Sequence, residues 1–207
     1  MHFPYVPGKK VDVPEIKYKG NIVLPSEQSA LLIIDMQNDF IKEDGSLRVE
    51  SAKETIPLIR SLLNEARSNK VKVCYTQDTQ IEADKEFEIW PRHCIEGTRG
   101  WKIIDELKPE NGEMVFRKNR YDGFYETNLE HYLSHVWHVE NLIITGTVSN
   151  ICVAHTAASA GLRWYKIIVP ANGISALTEF DQALTLRQIS FLYDGIVVKS
   201  TSDIAFT

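Results

Sequence analysis

The sequence contains little cysteine and no long apolar run. Its 207 residues include three cysteines, Cys74, Cys94 and Cys152, an odd number without the close spacing of a disulfide framework. No N-terminal stretch resembles a signal peptide, and no stretch is apolar enough for a membrane span. We therefore expect a protein of the reducing cytoplasm that has no membrane partner.

Clustered basic charge and glycine-rich phosphate loops are missing as well. The 23 Lys and Arg residues are scattered along the chain and are outnumbered by 28 Asp and Glu residues. A nucleic-acid-binding protein gathers basic residues on one face, so no nucleic-acid partner is expected. Neither a GxGxxG nor a Walker-type loop is present, which argues against a nucleotide-binding role.

The N-terminal segment differs in composition from the rest of the chain. Residues 1–28 carry four prolines and no sustained hydrophobic period, which predicts an extended arm. Residues 29–207 are long enough for a single well-buried domain. The arm contains apolar side chains that a monomer would struggle to cover: Phe3, Tyr5, Val6 and Tyr18. We therefore predict a homo-oligomer, a dimer or a tetramer, with the arm at an interface.

From residue 29 onwards, short apolar runs alternate with amphipathic segments. This pattern is typical of strands and helices that alternate around a parallel sheet. The predicted strands are 30–35, 72–77, 113–118, 141–147, 166–170 and 195–199. The predicted fold is an α/β protein, a three-layer α/β/α sandwich with a six-stranded parallel sheet and a Rossmann-like arrangement.

Helices are predicted in four of the intervening segments. Two of them span about 152–163 and 179–193, and a third spans about 55–68, where Pro57 fits if the helix starts just before it. The fourth helix follows Thr127, which forms a capping-box pattern with Glu130.

Three polar residues lie at or after the ends of predicted strands. Asp35 ends the first strand, Lys118 ends the third, and the fourth leads through a polar turn to Cys152. Ligands of open parallel sheets bind beyond the carboxyl ends of the strands, so these side chains are expected to share one site. A helix beginning at Cys152 would favour a thiolate through its dipole, and its N–H groups could hold an oxyanion.

Taken singly, each of these residues is more typical of a structural role than of a catalytic one. An aspartate after a strand is a common cap, a lysine at a strand end is commonly solvated, and a lone cysteine is commonly a core residue. Cys152 and His155, or His93 next to Cys94, could also belong to a zinc site. A non-catalytic α/β binding module is a further alternative, because a fold alone does not establish a function.

Four ordered segments resemble one enzyme family. "LLIIDMQNDF", "WPRHCIEGTRGWKIIDEL", "KNRYDGFYETNLEHYL" and "TGTVSNICVAHTAASAG" are similar to segments of the isochorismatase-like cysteine hydrolases, which include nicotinamidases and N-carbamoyl amino-acid amidases. The resemblance spans roughly residues 29–200. It implies the isochorismatase-like hydrolase fold and a catalytic triad of Asp35, Lys118 and Cys152.

The resemblance also implies a mechanism. Asp35 would take the thiol proton of Cys152, the sulfur would attack an amide carbonyl, and water would release the acid from the resulting thioester. Lys118 would hold Asp35 ionised and oriented. A cis peptide between Thr147 and Val148 is implied too, with the N–H groups of Val148 and Cys152 forming the oxyanion hole.

Substrate choice within the family depends on other positions. A cysteine at position 152 favours C–N bond cleavage, because isochorismatase itself hydrolyses a vinyl ether without a nucleophilic cysteine. Phe40, Trp90 and Tyr121 match the aromatic positions of nicotinamidases, so the first expectation is hydrolysis of nicotinamide to nicotinate and ammonia. Arg120 instead resembles the branch that acts on ureido and N-carbamoyl carboxylates, where a guanidinium clamps the carboxylate.

The same resemblance to nicotinamidases argues against a bound metal. Nicotinamidases commonly bind a metal through an Asp-x-His pair and a later His, whereas this chain has Asp78, Thr79 and Gln80, followed by His93. Gln80 is a poor replacement for imidazole towards zinc. We therefore expect no metal or other cofactor; if a divalent ion binds, Asp78 and His93 would hold it.

Overall fold

A parallel sheet forms the centre of the protein, whose computed structural model describes residues 8, 10 and 12–207. The strands are β1 (Tyr18–Lys19), β2 (Ile22–Leu24), β3 (Ser29–Ile34), β4 (Lys72–Asp78), β5 (Met114–Lys118), β6 (Asn141–Thr147), β7 (Lys166–Pro170), β8 (Ile174–Ser175), β9 (Ile196–Val198) and β10 (Ile204–Phe206). The main sheet has the order β1-β9-β7-β6-β3-β4-β5, and β8 also pairs with β6. Its strand pairs are parallel, which confirms the predicted class.

The main sheet has eight strands rather than the predicted six. The six predicted strands are β3 to β7 and β9, each within a residue or two of its expected bounds. The additional strands, β1 and β8, have two residues each. Two residues are too few to produce the alternation by which a strand is recognised in a sequence.

Helices fill the connections between the strands. The α-helices are α1 (Asn38–Ile41), α2 (Ala52–Ser68), α3 (Ala154–Leu162) and α4 (Glu179–Leu192), and π-helical turns span His131–Val136 and Ser149–Val153. Short 3₁₀ turns lie at Ser26–Gln28, Lys85–Glu88, Asp105–Leu107, Ala171–Gly173 and Thr201–Asp203. The third helix prediction needs correction, since α2 begins at Ala52 and Pro57 lies in its second turn, where it removes one hydrogen bond close to the helix start.

The capping box expected at Thr127 and Glu130 forms only in part. The Thr127 hydroxyl accepts from the Leu129 N–H at 3.2 Å. The Glu130 carboxylate does not reach back to the chain; it pairs with Arg163 at 2.9 Å and accepts from the Tyr165 hydroxyl at 3.3 Å. An ion pair with a neighbouring element therefore replaces the local contact that the sequence pattern predicts.

The side chains of β3 show why the protein has three layers. Leu31 and Ile33 belong to one buried cluster, together with the apolar face of α2. Leu32 and Ile34 belong to a second cluster on the other face of the sheet, which contains residues of α3 and α4. Because alternate residues of a strand point to opposite faces, helices cover both sides of the sheet.

Part of the predicted arm is joined to the folded body. Tyr18–Lys19 adds β1 to the edge of the main sheet, and Ile22–Leu24 pairs with β10 in a separate two-stranded sheet. The three residues of β2 are buried, exposed and buried in turn, an alternation too short to stand out in the sequence. Phe3, Tyr5 and Val6 lie outside the described residues, whereas Tyr18 is described and is 42% exposed.

The strand order places a topological switch between β3 and β6. From β3 the chain continues to β4 and β5 on one side, and from β6 it continues to β7 and β9 on the other. Crevices at such points bind ligands beyond the carboxyl ends of the strands. Gly146 lies at this edge with φ of 113°, and a Cβ there would lie 2.1 Å from the Ile34 carbonyl oxygen, so the close approach of β6 to β3 needs glycine.

Candidate active site

Asp35, Lys118 and Cys152 meet in a buried cluster at the switch point. The ammonium Nζ of Lys118 lies 2.8 Å from Asp35 Oδ2 and 3.5 Å from Cys152 Sγ. The Asp35 carboxylate also raises the pKa of the Cys152 thiol, and the thiol in turn lowers the pKa of Asp35. We call these three residues the buried triad; the structure brings together all the residues that the sequence placed at strand ends.

Each member of the buried triad is positioned by its own element. Asp35 follows β3 with a φ of 48° and accepts a hydrogen bond from the Thr76 hydroxyl at 2.8 Å. Lys118 ends β5 and crosses the end of β4 to reach Asp35. Cys152 lies in the π-helical turn Ser149–Val153 that leads into α3. Three separate segments of the chain therefore hold the three side chains of the buried triad in one arrangement.

Burial and the neighbouring charges set the protonation states. Burial raises the pKa of Asp35 above its ordinary value, although the charge of Lys118 opposes the shift. Burial alone would lower the pKa of Lys118, but the carboxylates of Asp35 and Asp78 outweigh it and raise that pKa. The triad thus contains an ammonium that cannot readily lose its proton.

The thiolate expected at Cys152 is not favoured in this structure. Burial raises the pKa of the Cys152 thiol well above its ordinary value, and the carboxylate of Asp35 adds to the effect that Lys118 opposes. Cys152 is also the fourth residue of its helical turn, whose N-cap is Val148, so it is not the first residue at the positive end of the helix. Cys152 therefore rests as a thiol that needs a base.

The backbone next to Cys152 has the expected isomer. The peptide bond between Thr147 and Val148 is cis. The Thr147 hydroxyl accepts a hydrogen bond from Ser175 of β8 at 2.9 Å, and Val148 lines the cavity described below. The oxyanion role of the Val148 and Cys152 N–H groups stays a prediction.

Asp78 connects the triad to a second polar group. Its Oδ1 lies 3.3 Å from Lys118 Nζ, and its Oδ2 lies 3.2 Å from Nε2 of His93. Burial would raise the pKa of Asp78, but the charges of Lys118 and His93 lower it overall. Glu86 Oε1 lies 3.9 Å from the same His93 nitrogen. Acidic and basic side chains thus alternate from the triad to the far side of His93.

The residues around Asp78 do not fit a metal. Asp78 Oδ2 and His93 Nε2 contact each other directly, and the Gln80 amide nitrogen lies 3.3 and 3.4 Å from the two Asp78 oxygens as a donor. Atoms that should point at an ion are therefore paired with one another. Within the described part of the chain, no group of three His, Cys, Asp or Glu residues could hold a metal ion.

A cavity of about 240 Å³ opens next to the buried triad. It is lined by Phe40, Ser46, Leu47, Arg48, Val49, Asp78, Glu86, Trp90, His93, Tyr121, Val148, Ile151, Cys152 and Leu177. The predicted aromatic residues Phe40, Trp90 and Tyr121 are all in this lining, and the Trp90 indole N–H donates to the Tyr121 hydroxyl at 2.9 Å. The cavity therefore offers apolar walls with Cys152 at its surface.

Arg120 is the predicted substrate-binding residue that the structure does not bring into the cavity. Its guanidinium lies 3.2 Å from Asp84 and 3.7 Å from Glu86, and its side chain is 47% exposed. Arg120 comes two residues after β5 ends, so the alternation of the strand no longer determines its direction. It forms a surface ion pair.

His155 also lies apart from the chemistry. It stands one helical turn after Cys152, its Nδ1 lies 2.7 Å from the Ile151 carbonyl oxygen, and its ring is 5.5 Å from that of Tyr121. It is not among the residues that line the cavity. Neither the Cys152–His155 pair nor the His93–Cys94 pair belongs to a metal-binding group in the described residues.

Two charged residues of the lining were not identified from the sequence. Arg48 lies in the loop between α1 and α2, and Glu86 lies in the short 3₁₀ turn Lys85–Glu88. Loop residues carry no periodic signal that relates them to a site. One sequence feature indicates the turn that contains Glu86: Asp84 is a typical N-cap residue, and its side chain accepts a hydrogen bond from the Glu86 N–H at 2.9 Å.

Fold and site together define a three-layer α/β protein with a parallel sheet and a buried Asp-Lys-Cys cluster at its switch point. The chain belongs to the isochorismatase family, since residues 29–202 match the isochorismatase domain.

The relatives of the chain include proteins named as amidohydrolases and amidases. The ureidoacrylate amidohydrolase of Agrobacterium fabrum is 29% identical over 202 residues that cover 84% of this chain and 88% of the relative. The N-carbamoylsarcosine amidase structure from Thermoplasma acidophilum is 32% identical, with a TM-score of 0.75 over 83% of this chain and 95% of that one. A nicotinamidase structure from Bacillus subtilis is 26% identical, with a TM-score of 0.78 over 83% and 99%.

Proposed function

We propose that the protein is a cysteine-dependent amidohydrolase that cleaves the C–N bond of a small amide through a thioester on Cys152. The contact of the Lys118 ammonium with both Asp35 Oδ2 and Cys152 Sγ carries the proposal. A base, a cation and a nucleophile within hydrogen-bonding distance of one another are what such chemistry requires. The family membership and the amidohydrolase relatives support the same reaction class.

The steps follow from the protonation states. Asp35 takes the proton from the Cys152 thiol as the sulfur attacks the amide carbon, and it returns that proton to the leaving amine. Lys118 compensates the negative charge that moves between sulfur and carboxylate. Water, deprotonated by Asp35, then attacks the thioester, and the acid leaves as the thiol is restored. No step needs a metal.

Nicotinamide is supported by the flat apolar lining. Phe40, Trp90 and Tyr121 all border the cavity, and its volume suits a single aromatic ring. The contacts of Asp78 with His93 and Gln80 count against it, because a nicotinamidase of the expected type would hold a metal there. The aromatic positions alone therefore give this substrate partial support.

A ureido or N-carbamoyl acid is the substrate class that the site supports better. Arg48 lines the cavity, and its guanidinium suits a carboxylate; this substrate class needs no metal. Two of the similar proteins, the ureidoacrylate amidohydrolase and the N-carbamoylsarcosine amidase, have such acids in their names. The predicted guanidinium was Arg120, so this support now rests on a different residue.

Ammonia release from four amides tests the reaction and its substrate. Nicotinamide, pyrazinamide, N-carbamoylsarcosine and ureidoacrylate are incubated with the protein and with Cys152→Ala. We expect release from the two acids, no release by Cys152→Ala, and unchanged folding by circular dichroism. Release from nicotinamide alone would overturn the acid preference and leave the reaction class intact. Full activity of Cys152→Ala would overturn the reaction class itself.

Assembly into a homo-oligomer stays a prediction. Apolar side chains exposed near the start of β1 support it, among them Leu162, Trp164 and Phe191, which border a surface groove together with Tyr18. A variant lacking residues 1–11 removes Phe3, Tyr5 and Val6 but keeps β1 and β2. Light scattering should give a multiple of the 23.6 kDa chain mass for the full chain and a lower multiple for this variant. The same monomer mass for both would contradict the prediction.

A further inference from the structure

The negative side chains that line the cavity have oppositely charged neighbours within the protein, whereas its positive side chain has only a weak one. The carboxylate of Asp78 contacts Lys118 and His93, and the carboxylate of Glu86 lies 3.9 Å from His93 and 3.7 Å from Arg120. Both negative groups therefore have buried or nearby cations. Among the described residues that line the cavity, Arg48 is the one that bears a permanent positive charge.

Arg48 has a weak partner within the protein. Its Nη2 lies 3.1 Å from Glu50 Oε1, but the Glu50 side chain is 88% exposed, so solvent screens this pair. The Arg48 side chain itself is 33% exposed. A guanidinium has five N–H donors in a planar fork, and a single contact to a solvated carboxylate leaves most of them for another acceptor.

The backbone around Arg48 is held in place. The N–H of Leu47 donates to the Asp39 carbonyl at 3.1 Å, and the N–H of Val49 donates to the Phe40 carbonyl at 2.8 Å. Both neighbours of Arg48 are thus tied to α1, and Phe40 also lines the cavity. An arginine on an anchored loop can present its fork at a fixed position, which reduces the entropy lost on binding.

We propose that Arg48 is the specificity-determining residue that binds a carboxylate of the substrate while the scissile amide lies at Cys152. The proposal rests on the proposed amidohydrolase function and names the substrate class of that site, a small amide or ureide that bears a carboxylate. A planar guanidinium and a carboxylate match in geometry and form two parallel hydrogen bonds. The cavity of about 240 Å³ limits the molecule between the two groups to a few carbon atoms.

A matched pair of probes isolates the carboxylate. 3-Ureidopropanoate and its carboxamide, 3-ureidopropanamide, have nearly the same size and differ in charge at one end. The concentration of each that protects Cys152 from alkylation by iodoacetamide is measured by mass spectrometry. This measurement does not require turnover. KM and kcat for ammonia release are measured in parallel.

The variants are Arg48→Gln and Arg48→Lys, with Arg163→Gln as the control, because Arg163 pairs with Glu130 and neither residue lines the cavity. The wild-type protein should be protected by the acid at a concentration about 10- to 100-fold lower than by the amide, as expected for charged hydrogen bonds. Arg48→Gln should remove this difference by weakening binding of the acid and should raise its KM with little change in kcat. Arg48→Lys should restore part of this difference between the two probes, and Arg163→Gln should behave as wild type.

The proposal fails if Arg48→Gln keeps the preference for the acid, or if the two probes protect the wild type equally or not at all. Failure of the proposed function gives a different result. In that case the acid protects Cys152 in an Arg48-dependent manner, yet neither probe releases ammonia.

Discussion

The buried triad and the outer part of the cavity lining differ in almost every physical respect. Asp35, Lys118 and Cys152 are buried, contact one another, and come from the ends of strands or from the turn after one. Arg48, Trp90 and Tyr121, which we call the outer lining, come from loops and are partly open to solvent. The first group has a single arrangement enforced by the sheet, whereas the second can change without disturbing it.

This difference predicts that one group of residues carries out the reaction and another determines which substrate binds. Substitutions of the two charged members of the buried triad, Asp35 and Lys118, remove groups whose charges compensate one another, so they should affect both chemistry and folding. Substitutions in the outer lining should alter which amide binds and leave the fold unchanged.

The largest effect is expected from Asp35→Asn. The amide cannot take the thiol proton of Cys152 or return it to the leaving amine, so kcat should fall by several orders of magnitude. His155→Gln, which also changes a group next to Cys152, should cost far less because His155 lies outside the cavity. Steady-state ammonia release compares the two variants, and the reverse ranking would mean that the base is His155.

Lys118→Met should reduce stability as well as activity. Without the ammonium, Asp35 and Asp78 remain buried without their shared cation, which costs about 3–5 kcal/mol of unfolding free energy. Arg120→Met, two positions along the chain, loses an exposed ion pair worth less than about 1 kcal/mol. Urea denaturation measures both. Equal losses would remove the distinction between the buried triad and the surface.

Thr76→Val should shift the acid limb of the pH profile of kcat/KM. The Thr76 hydroxyl stabilises the ionised form of Asp35, so its loss raises the pKa of that carboxyl further. The base must be ionised to act, so the limb of kcat/KM should move to higher pH by roughly half a unit to one unit. Thr185→Val removes a buried hydroxyl of α4 that donates to the Asp181 carbonyl, and it should leave the limb in place. A limb that moves to lower pH would contradict the assignment of Asp35.

The smallest effect is expected from Tyr121→Phe in the outer lining. The indole N–H of Trp90 loses its acceptor, which should lower the free energy of unfolding by no more than about 1 kcal/mol. Because the position of the Trp90 ring in the cavity is then less well fixed, KM should rise several-fold with kcat almost unchanged. The exposed Tyr125→Phe serves as control. A large loss of kcat in Tyr121→Phe would show that this residue takes part in the chemistry.

The same contrast explains what the sequence could predict. Asp35 and Lys118 follow apolar runs whose strand character is strong, and parallel strands bring their carboxyl ends to one edge. The protonation of Cys152 could not be predicted, because it depends on burial among side chains from three connections. Arg48 and Arg120 show why loop residues of the site could not be predicted. Arg48 lines the cavity and Arg120 does not, yet no periodic pattern in the sequence distinguishes them.

Capture of the covalent intermediate tests the central claim most directly. The protein is mixed with whichever of the four amides releases ammonia, and the reaction is stopped with acid within the first turnovers. The protein is then digested, and the mass of the peptide that carries Cys152 is measured by mass spectrometry. We predict that this peptide gains the mass of the acyl group and that peptides with Cys74 or Cys94 do not. Ammonia release with Cys152 unmodified, together with turnover by Cys152→Ala, would contradict the account.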